Sequence, residues 1–433
     1  MGSVTSTIPN YCLILLALLT MVLTAACSSD STLEDTQVVE RFEPVPLKFG
    51  FSSAAESSSE TPQNVNARAT RAASLESKYT DFKVGTWKAF GSDQQQTVMN
   101  GYKVEHNTPA TSDAKYTYNW VYEGVLTGQS LRYWDLAAFP YEFRAVAPYM
   151  ASTSITDAGL TVSGVNFRAQ TLTNDAYNYT TAQSEPCVVA QVKREKDGTD
   201  YKDTDALSNN SDKEINKTAK ADATRAVHVP FHHLMSQIGF RIYIDNPQPV
   251  NHEWDDGIGG DEYSVWIDNI VITVKNAETG FIYKSTGYTA TNTGGLKNGT
   301  FNGTTTTTDE YTLLSHNAYT QESHNLHVHL NKESALDLVP NCLQQIPQTG
   351  MKVRVQLRLK TNHVEPSEQQ FTYDTWLTLD KTSPTGDVFT WEPDKRYIYY
   401  LHIENLHGHE IVLHTVDILP WDEVQTTNIN VGL

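Results

Sequence analysis

Apolar residues recur at every second position along nearly the whole chain, and that period constrains the fold more than any other feature. Val45, Leu47, Phe49 and Phe51 alternate with Pro46, Lys48, Gly50 and Ser52. Phe82, Val84 and Thr86 repeat the pattern, as do Tyr116, Tyr118 and Trp120, and Phe240, Ile242 and Ile244. A period of two lines one face of an extended strand. Further strands are expected at Tyr141 to Tyr149 (ended by Pro148), Val265 to Val274, Phe281 to Lys284 and Lys352 to Leu359. Thr372 to Leu379, Tyr397 to Ile403 and Ile411 to Leu419 continue the series. Turn clusters such as Asn292-Thr293-Gly294-Gly295 and Asn298-Gly299 separate them. Helical periodicity persists beyond a turn or two only over Glu333 to Gln345. The 22 Tyr, 14 Phe and 8 Trp, with abundant Thr, suit the half-buried surface of a pleated sheet. Lys193 to Thr224 is densely charged and reads as a long surface loop, after which Val227 to Ile244 restarts a core. At 433 residues there is room for two domains. The natural reading is all-β, two β-sandwiches in tandem, with a boundary near Ala226 to Pro230.

The amino terminus is of another kind. Tyr11 to Ala26 is almost wholly apolar, and at about 16 residues it is short of the roughly 20 a bilayer span needs. It suits the apolar region of an export signal. Small residues then run into a cysteine, Leu23-Thr24-Ala25-Ala26-Cys27, an order that resembles a bacterial lipobox although Thr24 stands where Leu is usual. The resemblance implies acylation of Cys27 and anchoring to a membrane. An ordinary cleaved signal followed by an incidental cysteine is the alternative. The signal is the only long apolar stretch of the sequence.

Residues 27–71 read as a leader with one structured island, the strand at Val45, Leu47, Phe49 and Phe51. Ala54 to Asn66, rich in Ser, Glu, Thr and Asn, reads as a linker. It closes on Ala67-Arg68-Ala69-Thr70-Arg71-Ala72, two arginines among small residues, which suits a trypsin-like protease cutting after Arg71. At the other end, Asn428-Ile429-Asn430-Val431-Gly432-Leu433 sets Ile429, Val431 and Leu433 on one face of an extended strand. That tail is either a strand offered to another molecule or an edge strand of its own domain.

The formal net charge of −19 argues against nucleic acid and against an anionic bilayer face as partners. No catalytic or cofactor motif is present: no GxSxG, HExxH, Walker loop, dinucleotide fingerprint or EF-hand loop. Cys187 and Cys342 could form a disulfide in an oxidising compartment or stay as two buried thiols. His327-Val328-His329 and His407-Gly408-His409 each set two imidazoles on one face, but a transition metal needs further ligands that no spacing supplies. His232 and His233 would point to opposite faces of a strand, as packing residues do. The acidic loop Glu253 to Glu262 could hold calcium, though a solvated hairpin is the plainer reading. Trp254 or Tyr288, if exposed, could stack on a sugar. No metal or cofactor is expected, and no catalytic residue can be nominated.

Several short segments resemble the fimbrillin family of the Bacteroidales. Val229-Pro230-Phe231-His232-His233-Leu234-Met235-Ser236-Gln237-Ile238-Gly239-Phe240 is similar to the opening of their carboxyl-terminal domain. Thr70-Arg71-Ala72 after an apolar strand is similar to their maturation site. Trp391 to Tyr400 and Val416-Asp417-Ile418-Leu419-Pro420-Trp421 are similar to their last strands. The resemblance implies two transthyretin-like β-sandwich domains, residues 72–230 and 231–433, behind a signal of residues 1–26 and a leader of residues 27–71. It also implies a surface lipoprotein of the outer membrane, cut between Arg71 and Ala72 by an arginine-specific protease. Removal of the Val45–Phe51 strand would open a groove for a strand from a neighbouring fimbrial subunit, with Ile429, Val431 and Leu433 as a candidate donor. The expected role is a pilus subunit supporting adhesion. A tip or anchor subunit, or a monomeric surface lipoprotein binding glycan or a host ligand, is the alternative.

Overall fold

Alternating sequence becomes strand along most of the described chain, although in the leader only Phe49–Gly50 is regular strand, and the strands stack into sandwiches with apolar faces inward. The computed structural model describes residues 44–50, 79–90, 95–106, 120–173, 176–177, 185–206, 214–215, 222–244, 265–276, 278–291, 299–317, 326, 331–339, 342–349, 351–361, 369–378, 390–405 and 410–421. Within these the fold is all-β. Among the described residues no helix is long and apolar enough to cross a membrane. Cys27, Phe51, Arg71, Ala72, Ile429, Val431 and Leu433 lie outside them.

The largest sheet has Tyr141–Ala147 at its middle, between Asp81–Ala89 and Val188–Asp197, both antiparallel to it. Gln95–His106 and Trp120–Val121 extend one side, Asp200–Asp205 and Glu214–Ile215 the other. Strand parity divides its side chains between two cores. Tyr141, Phe143, Ala145 and Ala147 join Val188, Ala190 and Val192 on one face. Val146, Val189 and Trp87 join Ile155, Leu160, Val162, Tyr288 and Ala290 on the other. That second face is roofed by the sheet formed by Phe281–Thr291 with Gly159–Arg168. Tyr288 is therefore core, at 0% exposure, and not a sugar platform.

The remaining strands make a sandwich around the largest core. One layer pairs Ser236–Ile244 in parallel with Lys395–Asn405, which turns back antiparallel into Glu410–Pro420. The facing layer runs Gln369–Thr378, Met351–Thr361, Val265–Asn276, Tyr311–Asn317. Ile267 and Ile270 both reach this core although an odd spacing should set them on opposite faces. A register shift between Ile267 and Asn269 supplies the extra residue that re-aims the strand.

Two expectations are corrected. Glu333 to Gln345 is not helical beyond a single 3-10 turn at Lys332–Ser334, capped by Asn331, whose side chain accepts from Ser334 N at 2.9 Å. Leu336–Asp337 and Leu343–Gln345 instead pair antiparallel with Ser236–Ile244. Pro340 and Pro347 lack the donors a continued helix needs. Nor is Lys193 to Thr224 one surface loop: Val188–Asp197 and Asp200–Asp205 form a hairpin through that charged stretch. Gly198, at φ +64°, opens its two-residue turn.

Candidate functional site

The leader strand is seated in the first core. Pro46 bridges Tyr133 in antiparallel fashion, Leu47 N donates to Arg132 O at 2.7 Å, and Trp134 N donates to Val45 O at 2.9 Å. On the opposite edge Phe49–Gly50 runs parallel to Val227–His228, and Val227 N donates to Lys48 O at 2.8 Å. The strand is thus held between two walls, 132–134 and 227–228, each of which would have an unpaired edge without it. Its alternation does what the sequence implies at two positions: Leu47 is 0% exposed and Phe49 1%. Val45 departs from the pattern at 39% and lies outside the buried cluster that Leu47 and Phe49 join.

Phe49 fills an aromatic pocket. Its ring meets Phe82 at 5.8 Å and 88°, Tyr122 at 5.9 Å and 75°, and Phe143 at 6.2 Å and 87° between centroids and planes. All three are edge-to-face, the arrangement ring quadrupoles favour. Tyr122 also donates its hydroxyl to Leu47 O at 2.9 Å, so one side chain packs on the strand and bonds to its backbone.

Behind the walls lies a buried charge network. The Arg194 guanidinium holds Asp203 through two bonds, Nε to Oδ1 at 2.7 Å and Nη2 to Oδ2 at 2.8 Å. Its Nη1 donates to Ala223 O at 3.0 Å and Arg225 O at 2.8 Å, just before Val227. Its plane lies over the Trp134 ring at 4.7 Å, and Trp134 belongs to the other wall. Arg225 adds an ion pair to Asp203 at 3.1 Å. One arginine therefore braces both sides of the groove.

A second knot follows directly. His232 donates from Nε2 to Asp205 at 2.7 Å and from Nδ1 to Asp394 at 2.9 Å. Burial alone would depress its pKa, but the two carboxylates outweigh that and hold the ring protonated, with its pKa pushed up to about 10. His233 meets Glu185 at 2.5 Å and stacks on Trp421 at 4.2 Å. Glu185 also accepts from Leu234 N and Met235 N. The histidines are thus packing residues, as expected, but carboxylate-bound ones, and His232 is charged. Asp205, Asp394 and Glu185 carried no sequence signal.

Cys187 and Cys342 are free buried thiols. Trp254, the acidic loop and the His327/His329 and His407/His409 pairs fall outside the described residues. Among the described residues no group of three or more His, Cys, Asp or Glu is placed to hold a metal ion.

No protein-family model and no curated protein matches the chain. Solved structures do. A fimbrial protein from Bacteroides vulgatus is 14% identical, with 78% of this chain and 92% of that one covered and a TM-score of 0.44. A candidate cell adhesion protein from Bacteroides uniformis is 16% identical, with 78% and 91% covered and a TM-score of 0.33. The fimbrial anchor protein of Porphyromonas gingivalis is 12% identical, with 79% and 90% covered and a TM-score of 0.19. These three solved structures are fimbrial and candidate cell adhesion proteins of the Bacteroidales.

Proposed function

We infer that the chain is a structural subunit of a bacterial surface pilus, and not an enzyme, and that it assembles by exchanging its leader strand for the strand of a neighbour. In this reading Cys27 carries the lipid that brings it to the outer membrane, and an arginine-specific protease cuts between Arg71 and Ala72. The body is organised as two transthyretin-like sandwiches, residues 72–230 and 231–433. The carboxyl-terminal strand, with Ile429, Val431 and Leu433, is the candidate donor to the next subunit.

The supporting observation is the seat of the leader. Leu47 and Phe49 are core residues, yet the strand meets its walls through only a short run of backbone pairs. Burying the two side chains is worth about 3–6 kcal/mol, a large part of the 5–15 kcal/mol typical of a whole domain. A chain cut behind such a strand keeps it bound until an equivalent strand replaces it, because the open groove would expose both apolar surface and unpaired edges.

Limited trypsin treatment of the purified, lipid-free precursor tests this, read by intact mass and native gel. The expected result is one cut after Arg71, with the leader held by the cut chain and released when an excess of the leader peptide Pro44 to Phe51 is added. A chain that resists cutting there, or is cut and does not exchange its leader for the added peptide, counts against strand exchange and for a tip, anchor or solitary ligand-binding lipoprotein.

A further inference from the structure

We propose, building on the strand-exchange reading, that the groove selects its replacement strand by an aromatic residue at the Phe49 position. The strand this chain accepts then comes from a different subunit, and not from the carboxyl end of a second copy.

The argument starts with what the groove asks of an occupant. The backbone contacts are general, since Arg132, Trp134 and Val227 bond to main-chain atoms of Val45, Leu47 and Lys48. They exclude a proline at the Leu47 position, whose N–H is used, and are otherwise blind to sequence. Among the described residues discrimination falls to the two inward side chains, Leu47 and Phe49. Leu47 requires an aliphatic group of ordinary size. Phe49 sits within three rings that all meet it at 75–88°. Such edge-to-face contacts are made only by another ring, and an aliphatic side chain forfeits all three at once.

The carboxyl end of this chain does not meet that demand. Residues 422–433, Asp-Glu-Val-Gln-Thr-Thr-Asn-Ile-Asn-Val-Gly-Leu, contain no aromatic residue. If Ile429 takes the Leu47 position, Val431 falls in the ring pocket; if Val431 does, Leu433 falls there. Reversing the strand exchanges these aliphatics without supplying a ring. Valine and leucine are also smaller than phenylalanine and would leave a void between Phe82, Tyr122 and Phe143, which costs stability in proportion to its volume. The groove and the tail of this chain are therefore mismatched, and the partner that fills the groove presents an aliphatic–x–aromatic strand, as the leader does with Leu47-Lys48-Phe49.

The test uses the lipid-free chain from Ser28 with a specific protease site built into the linker, between Ser57 and Gln63, and nicked so that the leader stays seated. Three labelled peptides are offered in excess: the leader sequence Pro44 to Phe51, the same with Phe49→Leu, and the tail Thr426 to Leu433. Displacement of the leader is followed by native mass spectrometry. The leader peptide should exchange in, the Phe49→Leu peptide should bind about ten-fold more weakly, and the tail should not displace the leader at the same concentration. Equal exchange by the tail, or by the Phe49→Leu peptide, overturns the selectivity while leaving strand exchange standing. Failure of all three peptides, the leader sequence included, removes the strand-exchange reading and the selectivity with it.

Discussion

Arg194 and Asp203 form a doubly bonded ion pair that is all but sealed from solvent, at 2.7 and 2.8 Å, between the two walls that hold the leader strand. Removing one partner of such a pair strands the other charge in a low-dielectric site. Arg194→Met is therefore expected to cost about 3–5 kcal/mol in denaturant unfolding. Asp203 would keep Arg225, so the loss should fall toward the lower end. Replacing both partners, Arg194→Met with Asp203→Leu, should restore part of the stability, because no half-paired carboxylate is left and Arg225 keeps its bonds to Asp222 O and Tyr201 O. A double variant no more stable than the single one would show that the cost lies in the lost grip on Ala223 and Arg225 and not in the charge.

The leader strand makes a graded prediction in the uncut chain. Phe49→Ala should cost about 3–5 kcal/mol and Leu47→Ala about 2–5 kcal/mol, the usual range for emptying a packed site. Val45→Ala, at a position 39% exposed, should stay within about 0.5 kcal/mol. Equal effects at the three positions in chemical denaturation would mean that the strand is not seated as described.

His232 gives the fold a pH dependence with a definite sign. Its folded pKa, about 10, lies above its unfolded value of 6.5, since Asp205 and Asp394 face the ring. Its contribution is thus complete below pH 6.5 and is lost as the pH rises through about 10. His232→Gln should be less stable than the parent by about 3–5 kcal/mol at pH 6, and the gap should close toward pH 10. A gap that stays constant over that range would show that the ring is neutral in the folded chain.

How far the sequence discloses this arrangement can be argued residue by residue. Leu47 and Phe49 are legible as buried because alternation is a local property, carried by neighbours two apart. Val45 is not, since its exposure depends on where the buried cluster ends. The pairing of Phe49 with Val227 is likewise invisible, because register between segments so far apart in the chain is fixed by tertiary packing. Arg194 and Asp203 lie in a stretch whose charge density reads as solvated surface. The one available signal was Gly198, first residue of the two-residue turn Gly198-Thr199 between two runs that otherwise look too polar for strands. Buried ion pairs hide in this way because composition counts charges without seeing which of them face each other.

The two thiols provide a check on the interior. Burial raises Cys187 well above the ordinary thiol range and pushes Cys342 up to about 12, so neither is a thiolate near neutral pH. In a chain beginning at Ser28, a thiol reagent at pH 8 should label neither residue in the native state and both after denaturation without reductant. Labelling of none after denaturation would reveal a disulfide and contradict the separate burial of Cys187 and Cys342 in two clusters.

The carboxyl tail separates accepting a strand from donating one. Among the described residues the groove is lined by residues of the stretches 79–90, 95–106, 120–147, 188–194 and 222–231. Deleting Asn428 to Leu433 should therefore leave leader retention and the unfolding midpoint unchanged, while abolishing addition of this chain to the groove of a partner subunit. The assay is co-assembly on native gels with the nicked partner, beside the same chain carrying its tail. Filaments or oligomers of normal length from the truncated chain would take the tail out of the assembly mechanism and return it to its own domain as an edge strand. A loss of folded structure would also assign the tail to its own domain, since a strand free for donation contributes nothing to the domain that carries it.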